Sequence, residues 1–243
     1  MFFRHSDALW ADYPALVPGV LHVGGINADA DVGPRVAHFN GIAQARLAAG
    51  PEGEFPEVQA WRRVFSSMGL KPTQYRCASE SLLRRFRKEN ALPSLHPLVD
   101  LCNAVSLVFA IPIAVFDVAK VQQPLEVRYA TGAEHYLTFG GEVECPEPGE
   151  VIFADAAGPA PNAHARRWTN RQSGLSAVSE GTREVLIVAE ALHASAAEDV
   201  GRLVSTLAQE LAAVWPAEPR TQLLSRASPG FSLAPSPAGG GLG

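Results

Sequence analysis

Sulfur chemistry has little to draw on in this chain, which holds three cysteines and two methionines in 243 residues. Cys77, Cys102 and Cys145 are odd in number and widely spaced, so they form neither a zinc pattern nor a disulfide framework, and a reducing compartment is expected. The seven histidines, His5, His22, His38, His96, His135, His164 and His193, include no HxH or HExxH arrangement; no metal and no cofactor is expected. A GxSxG nucleophile elbow, a Walker loop and a dinucleotide glycine loop are all missing. Gly24-Gly25 and Gly140-Gly141 are too short to mean more than turns. No apolar run reaches the roughly 20 residues of a membrane span, and the opening MFFRHSDALW lacks the apolar core of a signal peptide. A net charge of −5 gives no global nucleic-acid signature, so a polyanion would have to meet a local basic patch. A soluble, cytoplasmic protein with an ample core is expected.

What is present reads as helices first and strands afterwards. Gly19 to Ile26 looks like a first strand ending in a glycine turn, followed by helical patterns over 35–49, 56–68 and 79–88. Strand patterns then occupy 125–129, 136–139 and 151–155, with 163–168 as a hairpin partner of the last of these, and 184–189. Residues 195–214 form a long helix, whose start is supported by the capping-box spacing of Ser195 and Glu198. Past Pro216, proline, serine, glycine and alanine dominate, and 216–243 reads as a loose tail behind a single domain over 1–215. This order argues for an α+β protein with a mixed sheet.

Between the two halves lies ALPSLHPLVDLCNAVSLVFAIPIAVFD, residues 91–117. It predicts a helix, capped by Ser94 with Pro97 in its first turn, running at once into an interior strand over 111–116. Leu98, Leu101, Cys102, Val105, Val108 and Phe109 make one apolar face. His96, Asp100 and Asn103 lie opposite it, either as a solvated stripe or as one wall of a site.

The other unusual segment is Ala165-Arg166-Arg167-Trp168-Thr169-Asn170-Arg171-Gln172-Ser173. As a strand it would set Arg166, Trp168 and Asn170 on one side, with Arg167, Thr169 and Arg171 on the other. Guanidinium groups supply paired donors for phosphates or carboxylates, and an indole offers a stacking surface. Edge protection would explain the arginines but not their polar and aromatic neighbours, which favours a binding surface. The basic run Arg84, Arg85, Arg87 and Lys88 reads instead as the wet face of a helix.

LPSLHPLVDLCNAVSLVFAIPIAVFD resembles the signature of the B3/B4 domain, the editing module of the bacterial phenylalanyl-tRNA synthetase β-subunit, and is closest to its free-standing relatives. AWRRVFSSMGLKPTQYR, SESLLRR, PGEVIFAD and RRWTNRQS follow the same pattern, so the resemblance covers about 17–190. It implies a three-layer β/β/α fold and hydrolysis, in trans, of the ester of a mischarged aminoacyl-tRNA, with canavanyl-tRNA(Arg) a known case among the free-standing relatives. The implied partner is tRNA; DNA and membranes are not. The synthetase strand usually carries a histidine where this chain has Ala114, and the synthetase glutamate has no counterpart in 169–174, so its tyrosine-editing pocket does not carry over. Asn103 does match an asparagine of the synthetase motif.

An aminoacyl ester is already activated by its ribose neighbour, so positioning of water and ester with hydrogen-bond donors would suffice. On this reading Asp100, Asn103 and His96 form the catalytic group. Arg166, Trp168, Asn170, Arg171, Gln172 and Ser173 bind substrate, with Glu134 as the carboxylate partner of a guanidino-like side chain. A non-catalytic tRNA- or RNA-binding module and an amino-acid-binding protein are the alternatives.

Overall fold

The computed structural model describes residues 2–156 and 161–233. Its elements in chain order are β1 (Phe2–His5), α1 (Asp7–Asp12), β2 (Val17–Gly24), α2 (Gly33–Ala49), α3 (Pro56–Ser67), α4 (Ala78–Glu89) and α5 (Pro97–Phe109). There follow β3 (Ile113–Asp117), β4 (Leu125–Tyr129), β5 (Tyr136–Leu137), β6 (Val143–Glu144), β7 (Val151–Asp155), β8 (Ala163–Arg166) and β9 (Arg171–Gln172). The chain closes with β10 (Glu184–Ala191), α6 (Ala196–Val214), β11 (Arg220–Leu223) and β12 (Gly230–Ser232). This is the mixed α+β architecture that the pattern predicts.

Strand β10 explains the layering. It is sandwiched between β2 and β3 in a four-stranded antiparallel sheet of order β11-β2-β10-β3, and it is buried on both faces. Its side chains alternate, as the pleat requires. Val185, Ile187 and Ala189 pack with Leu21 and Val23 of β2 against α2, α5 and α6. Leu186 and Val188 point the other way, with Val20 and Phe116, into a second core shared with Phe3, Leu125, Val127 and Phe153 of a six-stranded sheet. That sheet has the order β12-β1-β4-β7-β8-β9, with β1 and β4 parallel and its other pairs antiparallel. The layers are therefore sheet, sheet and helices, held by two apolar cores in which each buried Leu, Ile, Val or Phe contributes about 1.5–3 kcal/mol. Gly19 lets α6 lie close on β2: a Cβ there would meet Val204 Cγ2 at 2.5 Å and Val200 Cγ1 at 2.6 Å.

Several local expectations need correction. Ser94 does not cap α5; the N-cap is His96, whose Nδ1 accepts from Leu98 N–H at 3.2 Å. The switch from α5 into β3 is made by Ala110 in the left-handed region (φ 54°), steadied by Ser106 Oγ donating to Ile111 O at 2.6 Å. β3 is buried as its composition predicts, but it stands at the edge of its sheet. The Ser195–Glu198 capping box does not form, because Ser195 Oγ donates to Asp199 at 2.7 Å instead. Part of the region read as a loose tail is ordered: β11 joins the four-stranded sheet, and β12 pairs with β1, placing Phe231 against Phe3 in register. Residues 234–243 of that tail lie outside the described residues.

A buried carboxylate in a slot between the sheets

The Arg-Trp segment is a hairpin, not a continuous strand. β8 ends at Arg166, β9 starts at Arg171, and Arg167 and Trp168 turn the chain with φ of 47° and 56°. Two successive left-handed residues other than glycine cost about 1 kcal/mol or more each, so their surroundings must hold them there. Trp168 N–H donates to Val151 O at 2.7 Å. Ala78 N–H, at the start of α4, donates to Thr169 O at 2.8 Å, and Asn170 Nδ2 donates to Arg76 O at 2.8 Å. The Trp168 ring is fully buried, edge-on to Trp61 with centroids 5.1 Å apart and to Tyr13 at 4.9 Å. It is thus a core anchor and no stacking platform for a base.

Beneath the hairpin the two sheets leave a slot of about 50 Å³, bordered by Ala114, Trp168, Thr169, Asn170, Gln172 and Glu190 among others. The alternation that sends Leu186 and Val188 between the sheets also sends Glu190 there, and it is 1% exposed. Glu190 Oε1 accepts from His5 Nε2 at 2.6 Å and from Trp168 Nε1 at 3.0 Å, while its backbone carbonyl accepts from Trp61 Nε1 at 3.3 Å. Glu190 Oε2 makes no hydrogen bond among the described residues and is not among the sealed polar atoms, which leaves it as the oxygen open to the slot. Thr169 Oγ1 is sealed, with no hydrogen-bond partner among the described residues. Asn170 and Gln172 spend their amide nitrogens on Arg76 O and Val115 O, which leaves their amide oxygens as acceptors. Arg171 stands at the rim, over the Tyr136 ring at 5.4 Å and 3.3 Å from Glu144. Such a slot can hold a cationic tip and a water. The rest of a larger molecule would lie across its mouth.

Of the residues singled out from the sequence, Trp168, Asn170, Arg171 and Gln172 come together here. Arg166 does not offer its guanidinium to a ligand: it is buried, with Nε and Nη2 on Glu150 at 2.9 and 2.8 Å and Nη1 on Glu144 at 2.6 Å. Ser173 is buried and donates to Leu137 O at 2.8 Å. Glu134 is also buried, and its carboxylate closes a turn, accepting from Arg128 and from the backbone N–H groups of Thr131 and Gly132 at 3.0 Å. Burial alone would raise its carboxyl, but the Arg128 and Thr131 hydrogen bonds bring it down to about 2.

His96, Asp100 and Asn103 line a different cavity, of about 430 Å³, between α5, the 92–97 segment and the start of α2. None of the residues bordering it borders the slot. The stripe therefore lines an open cavity, with His96 buried and Asp100 and Asn103 half-buried, and it is not joined to the Arg-Trp hairpin as expected. Asp100 accepts from Ser94 Oγ at 2.6 Å and from Leu95 N–H at 2.9 Å, so it ties down the chain entering α5. Burial lowers the His96 imidazole despite the nearby Asp100 and Glu180 carboxylates.

Glu57, His193 and Asp199 bring potential metal-ligand atoms within 4.8 Å of one another. Arg46 Nη2 already holds both Glu57 oxygens at 2.7 and 2.8 Å, and His193 Nε2 lies 2.9 Å from Asp199, so the cluster reads as an ion-pair network. The Cys77 and Cys102 thiols are buried and pushed up by that burial to about 11 and about 12, which makes them inert.

Glu190 was legible only as a charge at the end of a strand otherwise buried on both faces. His5 gave no sequence signal, since it gains its meaning from contacts across the layers.

A family model described as the B3/4 domain matches residues 60–207. Among curated proteins, the phenylalanine–tRNA ligase beta subunit of Haemophilus influenzae is 30% identical over 125 residues, 51% of this chain and 14% of that protein. The beta subunit of Mannheimia succiniciproducens is 32% identical over 96 residues, 40% of this chain and 11% of that protein. The chain thus spans about one seventh or less of the length of these relatives. An N-terminal fragment of the phenylalanyl-tRNA synthetase beta-subunit from Pyrococcus horikoshii aligns over 90% of this chain and 50% of its own, at 11% identity and a TM-score of 0.46. No helix among the described residues is long and apolar enough to cross a membrane. Two sheets and a helical layer built around the 91–117 segment, with a family match across more than half of the sequence, lead to one conclusion: this chain belongs to the B3/4 domain family.

Proposed function

We propose that the protein is an aminoacyl-tRNA deacylase that acts in trans, releasing an amino acid from a mischarged tRNA by water attack on the ester. The observation that carries this reading is the slot. It sits beside Ala114, the position where the resemblance places the synthetase histidine, and it is bordered by the buried Glu190 carboxylate and by the Asn170 and Gln172 amides, whose oxygens are unspent.

In this mechanism the side-chain tip of the amino acid enters the slot and the ester lies at its mouth. The amide oxygens of Asn170 and Gln172 hold the attacking water, and Arg171 faces the phosphate side of the terminal adenosine. Glu190 Oε2 accepts from a cationic tip, which favours an arginine-like guanidino side chain over a tyrosine ring. His96, Asp100 and Asn103 then shape the wall of the larger cavity and do not act on the ester.

The test is a panel of tRNAs charged with an arginine analogue, tyrosine and small aliphatic amino acids, followed for loss of the ester. Faster loss of the arginine-analogue charge, reduced about tenfold or more in Glu190→Gln, is expected, since a charge-assisted hydrogen bond contributes roughly 1.5–3 kcal/mol. Stable esters across the panel would overturn the reading. Salt-sensitive tRNA binding without release of amino acid would point to a binding module instead.

A further inference from the structure

The family match begins at residue 60, yet one wall of the slot is anchored from outside it. His5 lies on β1, the parallel neighbour of β4, and is 1% exposed. Its ring is held edge-on by Phe3 at 5.3 Å and against Trp10 at 5.4 Å. His5 Nε2 then lies 2.6 Å from Glu190 Oε1, across 185 residues of sequence. Since an ionised carboxylate only accepts, Nε2 carries the proton of this hydrogen bond. Trp168 Nε1 donates to the same oxygen at 3.0 Å. Two fixed donors on Oε1 define the rotation of the carboxylate, and that rotation leaves Oε2 open to the slot.

We infer that His5 is a positioning residue of this site: by holding Glu190 Oε1, it keeps Oε2 turned toward a cationic side-chain tip. The inference rests on the proposed reading of the slot as the place where the amino-acid side chain binds. It adds that the N-terminal strand, beyond the family segment, sets the preference for positive charge. A held acceptor binds better than a free one because its orientation is settled before the ligand arrives.

The experiment uses argininamide as the cationic probe and norleucine amide as a neutral one, with binding measured by calorimetry on the full chain. His5→Leu keeps bulk and removes the donor, whereas His5→Gln restores an N–H. The expected result is at least tenfold weaker argininamide binding in His5→Leu, recovery to within about threefold in His5→Gln, and no change for norleucine amide. In the unaltered protein, the His5 Nε2–H resonance should shift as argininamide saturates the site; that measurement stands even where His5→Leu fails to fold. Unchanged argininamide binding in His5→Leu, or a His5 signal indifferent to saturating probe, would overturn the inference. Absence of argininamide binding in the unaltered protein would overturn it too, and if the protein still released amino acid from a neutral charge, the deacylase reading would survive. Argininamide binding lost in His5→Leu and rescued in His5→Gln, without ester loss on any tRNA, would keep this inference and remove hydrolysis alone.

Discussion

Arg166 and Glu150 form a two-pronged ion pair inside the protein, with Nε on Oε1 at 2.9 Å and Nη2 on Oε2 at 2.8 Å. Glu150 Oε1 also accepts from Arg167 N–H at 2.9 Å, so the pair ties the entry to β7 to the turn after β8. Removing one partner of such a buried pair leaves an uncompensated charge. Arg166→Ala is expected to cost about 3–5 kcal/mol in urea unfolding. Arg166→Lys should recover only part of that, because a lysine cannot make the paired contact. Loss below 1 kcal/mol for Arg166→Ala would return this arginine to the list of ligand-facing groups.

Trp168 supplies bulk to the core and an N–H to Glu190, and two substitutions separate these roles. Trp168→Phe keeps much of the packing and removes the donor, with an expected cost of about 1–2 kcal/mol. Trp168→Ala also opens a cavity and should cost about 3–5 kcal/mol. Thermal and urea unfolding of both variants check the order; equal losses would mean that the bulk of the ring contributes nothing beyond the hydrogen bond, and no loss in Trp168→Phe that the hydrogen bond contributes nothing.

Acid should destabilise the fold through its buried carboxylates. Glu134 is held at about 2 against an ordinary 4.5. Arg166 lowers the Glu150 carboxyl against the effect of burial, as His164 and Asn162 do for Asp155, and Ser195 and His193 for Asp199. A carboxylate depressed by folding contributes stability that is complete above its unfolded value and is lost as pH falls toward the folded one. For Glu134 the window runs from about 4.5 down to about 2, and its contribution at neutral pH is on the order of 3 kcal/mol. Glu134→Gln should therefore be less stable at pH 7 and show a shallower loss of stability between pH 5 and 3 (approximate limits from carboxylate titration). Unfolding measured across that range decides; identical slopes would count against it.

Asp100 ties Ser94 and Leu95 to the first turns of α5. Asp100→Ala is expected to lose about 0.5–2 kcal/mol of stability, as for other contacts that hold a helix entry. Ester release should stay within about threefold of the unaltered protein, since Asp100 does not border the slot. A hundredfold fall in release with the melting temperature unchanged would restore Asp100 to the catalytic group.

Hydrophobic periodicity alone located α5, α6 and β10, because long apolar patterns are read within one element and need no neighbour. Binary alternation also placed a hairpin partner at 163–168, of which 163–166 forms the strand, and the order of helices and strands. It failed at β1, β11 and β12, which are three or four residues each and become strands only by pairing. The FFRH of β1 carries no strand signal of its own, yet Phe3 is fully buried between the sheets.

The candidate site divides in the same way. The Arg-Trp segment stood out by composition, and Asn170, Arg171 and Gln172 do reach the slot. Which of its arginines remained available could not be read, since Glu150 and Glu144 meet Arg166 only once β5 to β8 are assembled.

The sequence by itself determined the α+β class, which rests on patterns running along the chain, and the resemblance to the family, which in turn implied the three layers. Tertiary structure alone decided the chemistry. Glu190, His5 and Trp168 converge on one carboxylate oxygen from three distant segments, and His96, Asp100 and Asn103 turn to another cavity. The physical reason is that burial and hydrogen bonding between layers assign a side chain its role, and neither is a property of its neighbours in sequence.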